Sequence, residues 1–278
     1  MKKIFSFMIL AFITISCSNT EDPATPIDPT KLAKVIFYPN TLSERHWNFY
    51  PNGLLKEIIK PDGTILQSFV YDRNNNLLSS TVFNSNTSLN VSYNFTYDNN
   101  NHIDSYNGKV VTYNPTENSY TVHNNYTITN PSHYDEIDSW EITLNNELLI
   151  TSEKINYLTS EGNWYEYGVA VAYENNNMVH NTNGIDPTEG NYQFDNKINP
   201  FKQPLLPICR AMSITNFNDQ TTKWAVGEYN SVNNVTHDGY DNNGQEEVNY
   251  SYQYNTNNLP INQNSGYILY YYQGNIIP

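Results

Sequence analysis

One pattern recurs along the chain and restricts what it can fold into. An aromatic closes an alternating run, a tract rich in Asn, Asp or Gly follows, and an apolar residue opens the next run. It reads Tyr50-Pro-Asn-Gly-Leu54, Tyr71-Asp-Arg-Asn-Asn-Asn-Leu77 and Tyr97-Asp-Asn-Asn-Asn-His-Ile103. It returns as Tyr173-Glu-Asn-Asn-Asn-Met178, Tyr229-Asn-Ser-Val-Asn-Asn-Val235 and Tyr254-Asn-Thr-Asn-Asn-Leu259. Separations of 21 (Tyr50 to Tyr71), 26 (Tyr71 to Tyr97) and 25 (Tyr229 to Tyr254) fit two strands and two turns per unit.

Asn and Gly tolerate the positive φ that two-residue hairpin turns require, and Asn side chains bond nearby backbone. The flanks alternate as strands do. Leu89, Val91, Tyr93, Phe95 and Tyr97 fall on one face, with Asn90, Ser92, Asn94 and Thr96 on the other. Trp164 to Tyr173 reads as a longer, more apolar strand. The nearest approach to a helix is Leu205 to Met212, beside Asn199-Pro-Phe201, and is expected to run one or two turns. Composition agrees: 46 asparagines and 24 tyrosines among 278 residues suit turns and strands better than helices. The expected fold is all-β, a long antiparallel meander of hairpins curled into a barrel-like or half-barrel sheet. A two-sheet sandwich is the alternative, disfavoured because a Greek key needs long crossovers.

The N-terminus reads as an address. Met1-Lys-Lys precedes an apolar run, Ile4 to Ile15, that is too short to span a bilayer, which takes ~20 residues. Ile13-Thr-Ile-Ser-Cys17 resembles the lipobox of bacterial lipoproteins. That resemblance implies a signal peptide over 1–16 and lipidation of Cys17. Residues 17–32 are then a tether, with three Pro and three acids between Ser18 and Thr30 and no aromatic to bury. The β domain is expected over 33–278. Glu21-Asp22 resembles a short form of the surface-export signal of Bacteroidetes-type lipoproteins. Cell-surface display on the outer membrane is therefore expected, with the periplasmic leaflet as the alternative. Loss of Lys2 and Lys3 takes the net charge from -14 to -16. An acidic chain of this kind is no nucleic-acid binder. With Cys17 lipidated, Cys209 stands alone in the apolar segment Pro204 to Met212 and is expected to be a buried, inert thiol.

Tyr71-Asp72-Arg73-Asn74-Asn75-Asn76-Leu77 and Tyr97-Asp98-Asn99-Asn100-Asn101-His102-Ile103 resemble the Tyr-Asp-x-Asn-Gly-x-Leu repeat of RHS and teneurin shells, with Asn75 and Asn100 in place of its Gly. Over residues 33–275 the chain is similar to a group of uncharacterised Bacteroidetes lipoproteins with a porin-like β fold. The shared features are the lipobox, the Tyr-rich hairpins, Phe194-Asp-Asn-Lys-Ile-Asn-Pro-Phe201, Asn233-Asn-Val235 and a Tyr-rich last strand over Tyr267 to Tyr272. The resemblance implies a fold and no activity.

Chemistry is sparse. Nucleophile-elbow, zinc-protease, Walker and dinucleotide motifs are missing from the sequence. The six histidines are scattered, and His133-Tyr-Asp-Glu136 reads as turn chemistry. Asp238-Gly-Tyr-Asp-Asn-Asn-Gly-Gln-Glu-Glu247 is rich in oxygen ligands but reads as a hairpin turn with its acids facing water. No cofactor, metal site or catalytic residue is expected, and a hydrolase is the second alternative. The expectation is a non-catalytic binding or scaffold module whose partners are the membrane, through Cys17, and a carbohydrate or an outer-membrane protein. The first alternative, a glycan-binding module of a polysaccharide-uptake system, rests on stacking by Trp140, Trp164, Tyr270, Tyr271 and Tyr272. Tyr270-Tyr-Tyr272 must also point side chains to both faces of its strand. A membrane-inserted barrel is disfavoured, because its strands need an apolar band ~25 Å tall and these offer only a moderately apolar face.

Overall fold

The computed structural model describes residues 27–84, 89–123, 136–146, 149–158, 164–183, 189–215, 229, 231–241 and 248–275. Nine strands come first: β1 (Leu32–Phe37), β2 (Arg45–Phe49), β3 (Leu55–Ile59), β4 (Ile65–Tyr71), β5 (Leu77–Val82), β6 (Val91–Tyr97), β7 (Ile103–Tyr106), β8 (Lys109–Asn114) and β9 (Ser119–His123). Longer ones follow: β10 (Glu136–Leu144), β11 (Ile150–Leu158), β12 (Trp164–Glu174), β13 (Asn177–Asn183) and β14 (Glu189–Ile198). After the helix α1 (Lys202–Ser213) come β15 (Asn233–Asp241), β16 (Val248–Asn249), β17 (Tyr252–Tyr254), β18 (Pro260–Gln263) and β19 (Ile268–Tyr272).

β1 to β13 lie side by side in chain order, and β1 pairs on its other side with β19, then β18 and β17. This antiparallel meander of 16 strands does not close on itself. β14, β15 and β16 form a second sheet that sits against both of its free edges. On the β13 side, Asn177 and Asn233 exchange bonds of 2.9 and 3.0 Å, and the Met178 N–H donates to Ser231 Oγ at 3.0 Å. On the β17 side, the Tyr252 hydroxyl donates to the Val235 carbonyl at 2.9 Å, and the Tyr250 N–H to that of Thr236 at 2.8 Å. The curled meander is present, and the sandwich is not.

The turns explain the asparagines. Asp72 N–H bonds the Asn76 carbonyl while Asn75 N–H bonds that of Asp72, and Asp98–His102 and Asn255–Leu259 repeat the arrangement. Each is a three-residue loop, a type I turn followed by one left-handed residue that forms a bulge. Asn75 (φ 66), Asn101 (φ 64) and Asn258 (φ 58) hold the left-handed place. Asp72, Asp98 and Asn255 cap from the first position; Asp98 Oδ1, for example, accepts from the N–H groups of Asn100 and His102 at 2.8 Å. The expected two-residue turns occur at Asn107-Gly108 and Asn175-Asn176, where both residues have positive φ. At Asp72, Asp98 and Asn255 the Asx cap goes with the longer loop, and Tyr50–Leu54 and Lys60–Thr64 make the same loop with Gly53 and Gly63 in the left-handed place. Neighbouring turns are also linked, with Asn52 Nδ2 donating to Asn75 Oδ1 at 3.0 Å and Asn74 Nδ2 to Asn101 Oδ1 at 2.9 Å. Tyr229 departs from the repeat in that β15, which follows it, pairs with β14 and β16.

Alternation fills the concave face. Tyr93 and Phe95 are buried, whereas Val91 and Leu89, at the strand entry, are exposed. Leu32, Val35, Leu55, Phe69, Leu77, Ile103, Val122 and Ile142 join them in one core with Leu205, Ile208, Cys209 and Met212 of α1. The helix therefore lies inside the curl. Phe201 packs on Trp47 and Tyr270, Arg210 Nη2 donates to Asn76 Oδ1 at 2.8 Å, and the Trp140 indole N–H donates to the Ile214 carbonyl. Those contacts reach strands far apart in the sheet, which requires it to wrap. At 12 residues α1 is longer than the one or two turns expected. Pro204 falls in the first turn, where the N–H that proline lacks would have had no helical partner. Burial of 205, 208, 209 and 212 on one stripe then carries the helix past Pro207.

Candidate functional site

Cys17 lies outside the described residues, and so do His133 and the 242–247 part of the oxygen-rich tract. The residues just ahead of β1 are bonded to the end of the chain's last strand. Asp28 N–H donates to Gln273 Oε1 at 3.2 Å, and Gln273 N–H to the Lys31 carbonyl at 2.9 Å, ahead of β1 at Leu32.

Three expected stacking rings belong to the core instead. Trp140 is 2% exposed, its ring lying below Lys109 Nζ at 4.8 Å. Tyr270 is buried against Phe201 and donates to Gln263 Oε1 at 3.2 Å. Tyr272 is buried and donates to the Pro260 carbonyl at 2.9 Å. Rings so enclosed leave no face for a sugar. The physical reason is alternation: 270 and 272 take the concave side of β19, and the half-buried Tyr271 takes the other. Trp164 opens β12 as expected, with its side chain outside the described set. Cys209 is buried, and burial pushes its thiol well above the ordinary range. Asp238 is a β15 residue opposite Tyr192 rather than a water-facing turn acid, and burial raises its carboxyl. Among the described residues, no three His, Cys, Asp or Glu side chains gather as a metal would need.

Two concavities among the described residues are roomy enough to bear on binding. The larger, about 590 Å³, opens between α1 and the turn rim. Leu32, Leu54 and Leu259 form a buried floor, and Pro204, Leu206 and Pro207 of α1 form one wall. Asn52, Asn75 and Asn257 stand on the rim, with Thr30 and Lys31 from the incoming chain. Gly53 (φ +92) lets the Lys31 stem lie against the first turn, since a Cβ there would come within 3.2 Å of Lys31 Cδ. Lys31 Nζ sits 3.7 Å from Asp28, a loose exposed pair. Pro207 lacks an N–H, so the Gln203 carbonyl on this wall has no helical partner.

The second is an open groove of about 420 Å³ between the β12–β13 turn and β14. Tyr192 and Phe194, half-buried on one face of β14 with centroids 6.4 Å apart, line it beside Glu174, Asn175, Gln193 and Asn196. Asp195 there is engaged, accepting from the Tyr254 hydroxyl and from Lys197 N–H at 2.8 Å. Sequence reasoning missed this ring pair, although Tyr192-Gln-Phe194 shows the period-two spacing that puts two rings on one face.

No protein-family model matches the chain, and no curated protein matches it. Among solved structures, it is similar to a porin-like protein from Bacteroides vulgatus ATCC 8482, at 11% identity and a TM-score of 0.34, over 88% of this chain and 99% of that one. It is also similar to a porin-like protein from Bacteroides uniformis ATCC 8492, at 12% identity and a TM-score of 0.35, over 89% and 99%. Both are loose overlaps.

Proposed function

We propose that the chain is a non-catalytic binding module, held on the outer membrane at the cell surface by lipid on Cys17. The observation that carries this reading is the placement of the larger cleft. Its rim includes Thr30 and Lys31, so the segment leading in from the tether is itself part of the concave site. From Cys17 to Ile27 is 10 residues (27 − 17), a reach of at most about 33–36 Å. A cleft so tethered works close to the bilayer. Lipid attachment at ~0.8 kcal/mol per buried CH2 gives stable anchoring when several chains are present. The test is Cys17→Ser expressed beside the unaltered chain with radioactive palmitate. The account expects label and membrane association only in the latter, and label on both would refute it.

The β14 groove favours a second reading, glycan binding. Two adjacent rings beside amide side chains offer stacking faces and paired donors and acceptors. Affinity electrophoresis through a polysaccharide panel tests it. Retardation should be lost in Tyr192→Ala, and free migration in every gel would set the reading aside.

A further inference from the structure

We propose that the cleft beside α1 binds a single-chain anionic amphiphile of the fatty-carboxylate class. This deepens the binding-module reading and rests on its choice of site, not on lipidation of Cys17. At about 590 Å³ the cleft falls in the range of ligand sites, roughly 300–1,000 Å³. Its walls are aliphatic. Leu206, Pro207 and Ile198 present partly exposed apolar surface over the Leu32, Leu54 and Leu259 floor, and among the described residues no aromatic ring lines it. A wall of branched and saturated groups offers no π face, and a flexible alkyl chain can fill its irregular contour.

The charge at the mouth selects the head group. Among the described residues no acid lines the cleft, and its one charged lining residue there is Lys31. A carboxylate at the mouth meets the Lys31 ammonium in place of Asp28, whose 3.7 Å contact is loose and exposed on both sides. The rim amide of Asn257 adds donors without adding charge. An alkyl chain on the floor and a carboxylate at Lys31 thus satisfy both halves of the site.

The test uses the full chain in neutral phospholipid liposomes with a diazirine-bearing lauric acid, its adducts mapped by peptide mass spectrometry. Adducts should concentrate on peptides holding Leu32, Leu206 and Leu259, and excess laurate should remove them. Lys31→Glu, at an exposed position that leaves the fold intact, should lower labelling about fivefold, the effect of reversing one exposed charge. Leu206→Asp should lower it as well. A neutral dodecanol probe that labels the cleft as strongly as the acid would overturn the head-group assignment while leaving the binding site standing. Failure of both probes to label the cleft peptides would overturn the site as well.

Discussion

The hydroxyl of Tyr97 donates to the carbonyl oxygen of Leu77 at 2.8 Å, joining the end of one strand to the start of its neighbour. Tyr71 makes the same bond to Leu55 at 2.8 Å, and Tyr272 to Pro260 at 2.9 Å. Each acceptor lies just past a three-residue turn, at the same place in the repeat. A ring that faces the core and a hydroxyl that satisfies the backbone beside the bulge explain why the repeat ends in Tyr rather than Phe. Tyr97→Phe leaves a buried carbonyl unpaired and should cost about 1–2 kcal/mol in urea unfolding. Tyr267→Phe, at a ring 60% exposed, should stay within about 0.5 kcal/mol.

Left-handed backbone gives a second expectation. Asn258 (φ 58) is exposed, and its N–H closes the turn to the Asn255 carbonyl. Asn258→Gly should be nearly neutral. Asn258→Val forces a β-branched residue into that conformation and should cost about 1–2 kcal/mol. Equal midpoints for the two variants would contradict the turn assignment.

Stability should fall at both ends of the pH range. The Thr30 hydroxyl at Asp28, the Thr64 N–H at Asp62 and the His102 N–H at Asp98 hold these carboxyls below their ordinary 3.8. A lowered folded value stabilises above the unfolded one, and the gain is lost as pH falls below about 3.8. Burial raises Tyr71, Tyr97 and Tyr272 above 10.0, so their contribution holds below pH 10 and disappears as the unfolded phenols ionise. Urea midpoints against pH should show a plateau with both shoulders. The share of the phenol absorbance that comes from these three buried rings should rise only together with unfolding, after that of exposed rings such as Tyr267.

Trp140 separates packing from binding. Trp140→Phe removes the indole bond to Ile214 and part of a filled core, and should cost about 2–4 kcal/mol. It should leave any polysaccharide retardation intact, whereas Tyr192→Ala should abolish retardation at little cost in stability. The reverse pattern would return the stacking role to Trp140.

The sequence marks the hairpins because Asn, Gly and Asp at fixed offsets have backbone meaning. The choice of bulged loop at Asp72–Asn76 depends on a cap and a left-handed residue acting together, which residue type alone does not state. α1 is disguised by Pro204 and Pro207, and it is carried by core contacts of Leu205, Ile208 and Met212 that only the curled sheet provides. Alternation tells that Tyr270 and Tyr271 part company, but not which is inside. The cleft joins residues from 30 to 259, and no local pattern brings Lys31 beside Leu206. Past Tyr229 the spelling of the repeat does not reveal that Ser231 is claimed from afar, its carbonyl accepting from Asn199 Nδ2 at 3.0 Å and its Oγ from the Met178 N–H.

The most direct measurement is the mass of the N-terminal peptide of the protein isolated from outer membranes of its own cells. The account predicts a peptide that begins at Cys17 and carries the added mass of thioether-linked diacylglycerol and an N-acyl chain. A peptide that begins elsewhere, or an unmodified Cys17, would contradict it.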